Sequence, residues 1–249
     1  MRILVTGSSD GIGAEIAAAL ERLGHGVVRH ARDEAKAARL RDAGAAEVVV
    51  GELASLAATR AMAAAVRALA PLDVVVHNAG WLPPAGPRPV TEDGLERTFQ
   101  VNALSAYLLT ALLPLPSRLV YVSSDSIVRG RIDLDDLQHE AQWTADSAYA
   151  DSKLAMTAIA FAVARRYPAV RANAVHPGWI RTKMSGDAAP LDVAAGADTP
   201  VWLSTSDDAT ATGQFFHDRR VVHLNDQAHD PRVQDALLAA CAALTGTPL

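Results

Sequence analysis

The stretch VTGSSDGIGAEIAAAL, Val5 to Leu20, sets three glycines between a β-branched run and an alanine-rich segment of helical composition. At such a place Gly7, Gly11 and Gly13 can serve three physical ends. They allow a tight turn, close backbone approach to a pyrophosphate, and close packing of helix on strand. A helix starting there also offers free N–H groups and the positive end of its dipole to that phosphate. Thr6, Ser9 and Ile12 lie in the same loop and complete a candidate dinucleotide cradle. A plain strand-to-helix turn would carry the same glycines, so the reading depends on its surroundings.

Those surroundings alternate. RILVT leads to a helix expected from about Ile12 to Leu23, and GVVRH runs into DEAKAARLRDAG. AEVVVGEL is followed by SLAATRAMAAAVRAL, and LDVVVHNAG by a helix expected over Glu92 to Leu113. SRLVYVSS precedes a helix around Tyr149, and VRANAVHPG follows it. Continuous apolar strands alternating with helices predict an α/β fold: a doubly wound parallel sheet with helices on both faces. No linker or repeat divides the chain, so residues 1–249 read as one domain. The least regular stretch is 183–200, KMSGDAAPLDVAAGADTP, directly after a Pro-Gly turn. Ligands of such folds bind at the carboxyl ends of the strands. The stretch is therefore a candidate substrate-side lid, or else an ordinary surface excursion.

Half of the 249 residues are hydrophobic, a fifth are charged, and the net charge is −5. That composition suits a soluble globular protein with a substantial core and gives no basic run for nucleic acid. Apolar runs are broken by charges before they reach the length of a bilayer span, and no signal-like segment follows Met1. One cysteine, Cys241, leaves no internal disulfide and no cysteine metal cluster. The expectation is a cytoplasmic protein with no membrane, nucleic-acid or metal partner.

A second stretch, SAYADSKLA from Ser147 to Ala155, puts Tyr149 four residues ahead of Lys153. On a helix the two share one face. An ammonium beside a phenol favours the phenolate, so Lys153 is expected to lower the Tyr149 pKa toward neutrality. That would equip Tyr149 for proton transfer. In isolation the pair reads more readily as part of an amphipathic helix, with a half-buried Tyr and a solvated Lys.

Together these segments resemble the short-chain dehydrogenase/reductase family. The T-G-x-x-x-G-x-G spacing of Thr6–Gly13 matches its glycine loop. N-A-G recurs at Asn78, Ala79 and Gly80, ending the fourth strand. Asn102 falls at the family's helix-borne asparagine, and Ser124 at its catalytic serine, ending the fifth strand. Tyr149 and Lys153 form its Y-x-x-x-K. HPGWIRT matches its P-G-x-x-x-T through Pro177, Gly178 and Thr182, with Ile180 between them. The insertion DSIVRGRIDLDDLQHEAQWTADSA before Tyr149, TGQFF and the closing ALTG resemble the retinol-dehydrogenase-like branch.

The resemblance implies a Rossmann-type domain that moves a hydride between a nicotinamide and a carbonyl or alcohol carbon. Tyr149 would be the general acid/base. Lys153 would tune it and hold the nicotinamide ribose, Ser124 would fix the carbonyl oxygen, and Asn102 would hold a relay water. After the second strand comes RHARDEAKA. Ala31 stands where an acidic residue would take the ribose hydroxyls, and Arg32 follows, which favours NADP(H) over NAD(H). A register slip would instead make Asp33 the ribose partner. Glu52, with Leu53, replaces the family's Asp-Leu at the adenine edge. Ser123 and Ser126 compete with Ser124, whose place in the motif favours it. His77, His176, Asp125 and the pair Asp135–Asp136 read as structural or solvated. Trp179 and the loop Trp81–Pro84 read as pocket lining or as ordinary packing. The substrate is expected to be a small, apolar carbonyl or alcohol, and the assembly a homodimer or homotetramer. The other readings are an extended-type epimerase or dehydratase and a catalytically silent sensor. The first conflicts with the glycine spacing, the second with the complete Asn102–Ser124–Tyr149–Lys153 set.

Overall fold

A computed structural model describes residues 1–69 and 71–249. Strands β1 (Arg2–Val5), β2 (Gly26–Ala31), β3 (Glu47–Val50), β4 (Val74–His77), β5 (Arg118–Val122), β6 (Arg171–Val175) and β7 (Phe215–His217) pair in parallel; β8 (Arg220–Val221) is antiparallel. Their order, β3-β2-β1-β4-β5-β6-β7-β8, reverses direction between β1 and β4, the place where open α/β sheets bind ligands. This is the doubly wound sheet that the alternation predicts.

Side-chain alternation sorts the two faces. Ile3, Val5, Val76 and Val122 pack with α1 (Gly11–Arg22) on one side; Leu4, Val75 and Tyr121 point to the other. A third, smaller cluster seats α2 (Glu34–Asp42) on Ala31. The second face is covered by α3 (Leu56–Arg67), α5 (Ser105–Leu112) and α6 (Ala145–Arg166). From Ser152 to Ala164 every residue of α6 is buried, because α8 (Pro231–Thr245) packs over it. Among the described residues no helix is long and apolar enough to cross a membrane.

Two expected elements differ. The helix expected from Glu92 begins at Arg97: Gly94 turns at φ +78°, Val90 bridges to Glu96, and the Glu96 carboxylate caps the start by accepting from Phe99 N–H. It runs as α4 (Arg97–Phe99), a π-helical turn (Gln100–Leu104) and α5. The stretch 183–200 is irregular only as far as Asp192, which caps α7 (Val193–Thr205) by accepting from Ala195 N–H at 2.9 Å. Gly196 and Pro200 look like helix breakers, yet both lie inside α7. A Cβ on Gly196 would sit 2.8 Å from Ile180 and 3.4 Å from Ile12, so that glycine serves close packing rather than a turn.

Candidate active site

The glycine loop is shaped by contacts that tolerate no side chain. Gly7 and Gly11 take φ +64° and +55°. A Cβ on Gly13 would lie 2.3 Å from Asn78 Nδ2 and 2.4 Å from Gly7 O, so the first turn of α1 presses on the end of β4. Asp10 caps α1 by accepting from Gly11 N–H at 3.0 Å. Thr6 works behind the loop. Its hydroxyl accepts the N–H groups of Asn78 and Ala79 at 2.9 and 3.0 Å, pinning N-A-G against the turn.

Between these walls runs a cleft of about 320 Å³. Gly7, Ser9, Gly11, Ile12 and Gly13 line one side; Asn78, Ala79, Gly80, Pro177 and Thr182 line the other. Arg32, Glu52 and Leu53 close one end, Tyr149 and Lys153 the other. Thr6, Ala31, Asn102, Ser124, Gly178 and Ile180 do not line it. Ala31 is fully buried and its backbone, not its side chain, shapes the end of β2. A cradle with glycine at three of its positions, a helix N-terminus and a cationic end fit an extended, phosphate-bearing dinucleotide.

At the cationic end the acidic alternative is already engaged. Asp33 caps α2 by accepting from Lys36 N–H at 2.8 Å, and its other oxygen pairs with Arg32 at 3.1 Å. These contacts hold its carboxyl below the usual range, and Asp33 does not line the cleft. Lys36 does, with its Nζ 3.5 Å from Ser9 Oγ. Sequence reading passed over Lys36, which stands in the first turn of α2. Glu52 spends one oxygen on Ala54 N–H at 3.0 Å. His30, also passed over, lies in the cleft wall beneath the glycine loop.

At the other end, Thr144 and Ser147 cap α6 reciprocally, and the helix carries Tyr149 and Lys153 into the cleft. Lys153 Nζ lies 5.9 Å from the Tyr149 ring centre and donates to Val122 O at 2.8 Å. Burial pushes the Lys153 pKa down to about 8. The Tyr149 phenol is raised rather than lowered: burial dominates, and the Ser124 hydroxyl opposes it. The expected direction is thus corrected, because a poorly hydrated phenol loses more by ionising than a contact at this range returns.

Ser124 caps the turn Asp125–Arg129, accepting from Ser126 N–H at 3.1 Å. Ser123 is turned inward, its hydroxyl bonded to Lys153 O and Thr157. Asn102 sits in the π-helical turn, with its amide tied to both backbone groups of Trp81 and to Ser152 Oγ. A Cβ on Gly80 would lie 3.2 Å from Lys153 Nζ and 3.6 Å from Asn102 Oδ1, so both polar groups border one small space.

The remaining candidates have local roles. His77 stacks on Tyr121 and meets Thr110, and burial drives its pKa to about 3. His176 accepts from Asp125 N–H at 3.2 Å. Asp136 accepts from Glu140 and Ala141 N–H groups. Among the described residues no group of three or more His, Cys, Asp or Glu is placed to hold a metal. Trp81 lines the cleft and stacks under Arg97, whereas Trp179 is exposed.

Comparison with known proteins matches this arrangement. The family model described as enoyl-(acyl carrier protein) reductase covers residues 7–202. An uncharacterised oxidoreductase of Emericella nidulans is 37% identical over 99% of this chain and 97% of its own. Human retinol dehydrogenase 14 is 33% identical over 98% of this chain and 85% of its own. The fold is similar to a crystal structure of an uncharacterised protein from Mycobacterium paratuberculosis, with TM-score 0.85, 30% identity, and 99% and 94% of the two chains covered. It is also similar to a blue fluorescent protein from a metagenomic library in complex with NADPH, with TM-score 0.69, 25% identity, and 86% and 94% covered. The chain belongs to the short-chain dehydrogenase/reductase family, in its retinol-dehydrogenase-like branch, and is one of its oxidoreductases.

Proposed function

We propose that this oxidoreductase uses NADP(H) to interconvert a carbonyl and an alcohol, with Tyr149 as general acid/base. The observation that carries the reading is the shared cleft: Tyr149 and Lys153 close one end of the space whose wall is the glycine cradle. The bound nicotinamide supplies or accepts the hydride. Glycine-loop N–H groups and the start of α1 hold the pyrophosphate, and Lys153 holds the nicotinamide ribose.

Tyr149 gives its proton to the developing alkoxide, or takes it in the reverse direction. Its raised pKa keeps the phenol protonated at rest, the form reduction needs. Ser124 orients the carbonyl oxygen, and the space shared by Lys153 and Asn102 holds the water through which the proton is replaced. Arg32 and Lys36, on one side of the adenosine end, favour the 2′-phosphate of NADP(H). The NADPH-bound structural relative supports that choice.

An apolar substrate suits the segment after β6, where Trp179, Met184 and Leu191 are exposed and Met184 lines the cleft. Residues 183–192 then act as the substrate-side lid, with Lys183 latched to Asp10 of the glycine loop at 2.5 Å. A homo-oligomer has to use surface other than α6, whose central turns are spent inside the chain. A cytoplasmic setting fits an enzyme that draws on a free nicotinamide pool.

The test is a fluorescence titration with NADPH and NADH at matched salt, then NADPH consumption with a panel of apolar aldehydes and ketones. NADPH should bind about tenfold tighter or more, and carbonyl should be consumed with it. Binding of neither cofactor, or binding without turnover on any carbonyl or alcohol, contradicts the reading.

A further inference from the structure

His30 occupies a strand position where an apolar residue would suffice, yet it is 2% exposed and uses both ring nitrogens. Nδ1 accepts the Gly7 N–H at 2.8 Å, so in that contact it carries no proton. The proton therefore resides on Nε2, which donates to Gly51 O at 2.8 Å. The backbone of His30 adds two more ties to the loop, donating to Ser8 Oγ at 2.8 Å and accepting from Ser8 N–H at 3.2 Å. One ring thus braces Gly7, on the pyrophosphate side of the cleft, against Gly51, which directly precedes the Glu52 and Leu53 of the adenosine end.

We propose that His30 is a positioning residue of the dinucleotide site: its neutral ring, with the tautomer fixed by Gly51 O, holds the glycine loop in place by accepting the Gly7 N–H, and its protonation opens that clamp. A second ring proton would point Nδ1–H at the Gly7 N–H, donor against donor, and the loop would have to move. The inference rests on the dinucleotide reading of the cleft. Of the charged groups around the ring, Glu52 on the β3 side favours the imidazolium; Arg32 and Lys36 line the same cleft from the α2 side, and Asp10 from the glycine loop. Burial outweighs Glu52 and holds the His30 pKa below its ordinary value. The clamp therefore stays closed at neutral pH and opens in acid.

NADP⁺ affinity, measured by calorimetry from about pH 7.5 down to the most acid pH at which the proteins stay folded, tests this on wild type, His30→Asn and His30→Gln. Asn places an acceptor at the Nδ1 position and cannot titrate; Gln places its amide at the Nε2 position and leaves Gly7 N–H unpaired. The Asn variant should keep neutral-pH affinity within about threefold, whereas the Gln variant should lose about tenfold or more. Below the His30 pKa, wild type should weaken relative to the Asn variant by up to about tenfold per pH unit. The 2′-phosphate ionises near pH ~6 in both proteins and cancels in that ratio. A flat ratio across the range, or equal losses in both variants, overturns the inference. If the Gln variant does not fold, the ratio of wild type to Asn decides alone. Failure of wild type to bind NADP⁺ at neutral pH strikes instead at the dinucleotide reading, so the two failures are distinct.

Discussion

The two ends of the cleft are built on opposite principles. At the glycine end nearly every polar group has a protein partner: Thr6 serves Asn78 and Ala79, Asp10 caps α1, and His30 ties Gly7 to Gly51. Three glycines bring backbone to the cleft wall there. At the Tyr149 end the fold instead buries an ammonium against a single carbonyl, Val122 O, and a phenol that burial drives upward. Grip comes from geometry that is satisfied in advance, and chemistry from charge that is left under-solvated. The difference implies that binding and turnover can be broken separately.

The largest expected effect removes the buried charge. Lys153→Met keeps the bulk of the side chain, discards the ammonium, and should cut turnover by about 10³-fold. The same change should raise stability by about 1–2 kcal/mol, because a buried ammonium costs more than its one carbonyl bond returns. Urea unfolding alongside steady-state kinetics checks both signs. If both stability and turnover fall, the ammonium is paired better than Val122 O alone allows.

The reciprocal experiment strikes the geometric end. Gly13→Ala drives a methyl into Asn78 Nδ2 and Gly7 O, and should cost about 3 kcal/mol of stability together with measurable NADPH affinity. A thermal-shift assay with and without NADPH reads both at once. An alanine tolerated with unchanged affinity would show that the loop can relax, and the claim of a preset cradle would fail.

Smaller effects belong to cofactor choice. Lys36→Ala should weaken NADPH binding about fivefold to tenfold and leave NADH binding unchanged, and Arg32→Ala should behave the same way. Titration of both cofactors at low and high salt separates a phosphate contact from a general charge effect. Equal losses for NADH would place these cations away from the 2′-phosphate.

A separate effect is a pH dependence of stability. Lys153 titrates near pH 8 in the folded chain against an ordinary value of 10.5. Between those values the unfolded chain holds the proton that the folded protein has already released, so Lys153 makes stability rise with pH across that window. Stability measured against pH should flatten there in Lys153→Met relative to wild type. Parallel curves would mean that the ammonium is better solvated than its burial implies.

The same contrast explains what the sequence made legible. The glycine loop, N-A-G and Y-x-x-x-K could be placed in a doubly wound sheet because only glycine satisfies positive φ at Gly7 and Gly11 and the contact at Gly13. His30 was not legible. A histidine inside GVVRHA shows no sign of its Gly7 and Gly51 partners, which only the parallel pairing of three strands brings to it. Lys36 was not legible either, because nothing in DEAKA shows that the first turn of α2 brings its side chain to Ser9 of the glycine loop. Gly196 and Pro200 misled because the packing of α7 on Ile180 and Ile12 outweighs local helix propensity. The direction of the Tyr149 pKa was beyond sequence altogether, since burial and the Lys153 distance are properties of the assembled fold.

The most direct measurement is NADPH affinity and carbonyl turnover of Tyr149→Phe, made side by side with wild type. Removing one hydroxyl from the chemical end should leave NADPH affinity within about threefold and lower turnover by about 10³-fold. Turnover close to wild type, or a loss of affinity that matches the loss of turnover, would contradict the division of the cleft into a geometric grip and a buried-charge catalytic end.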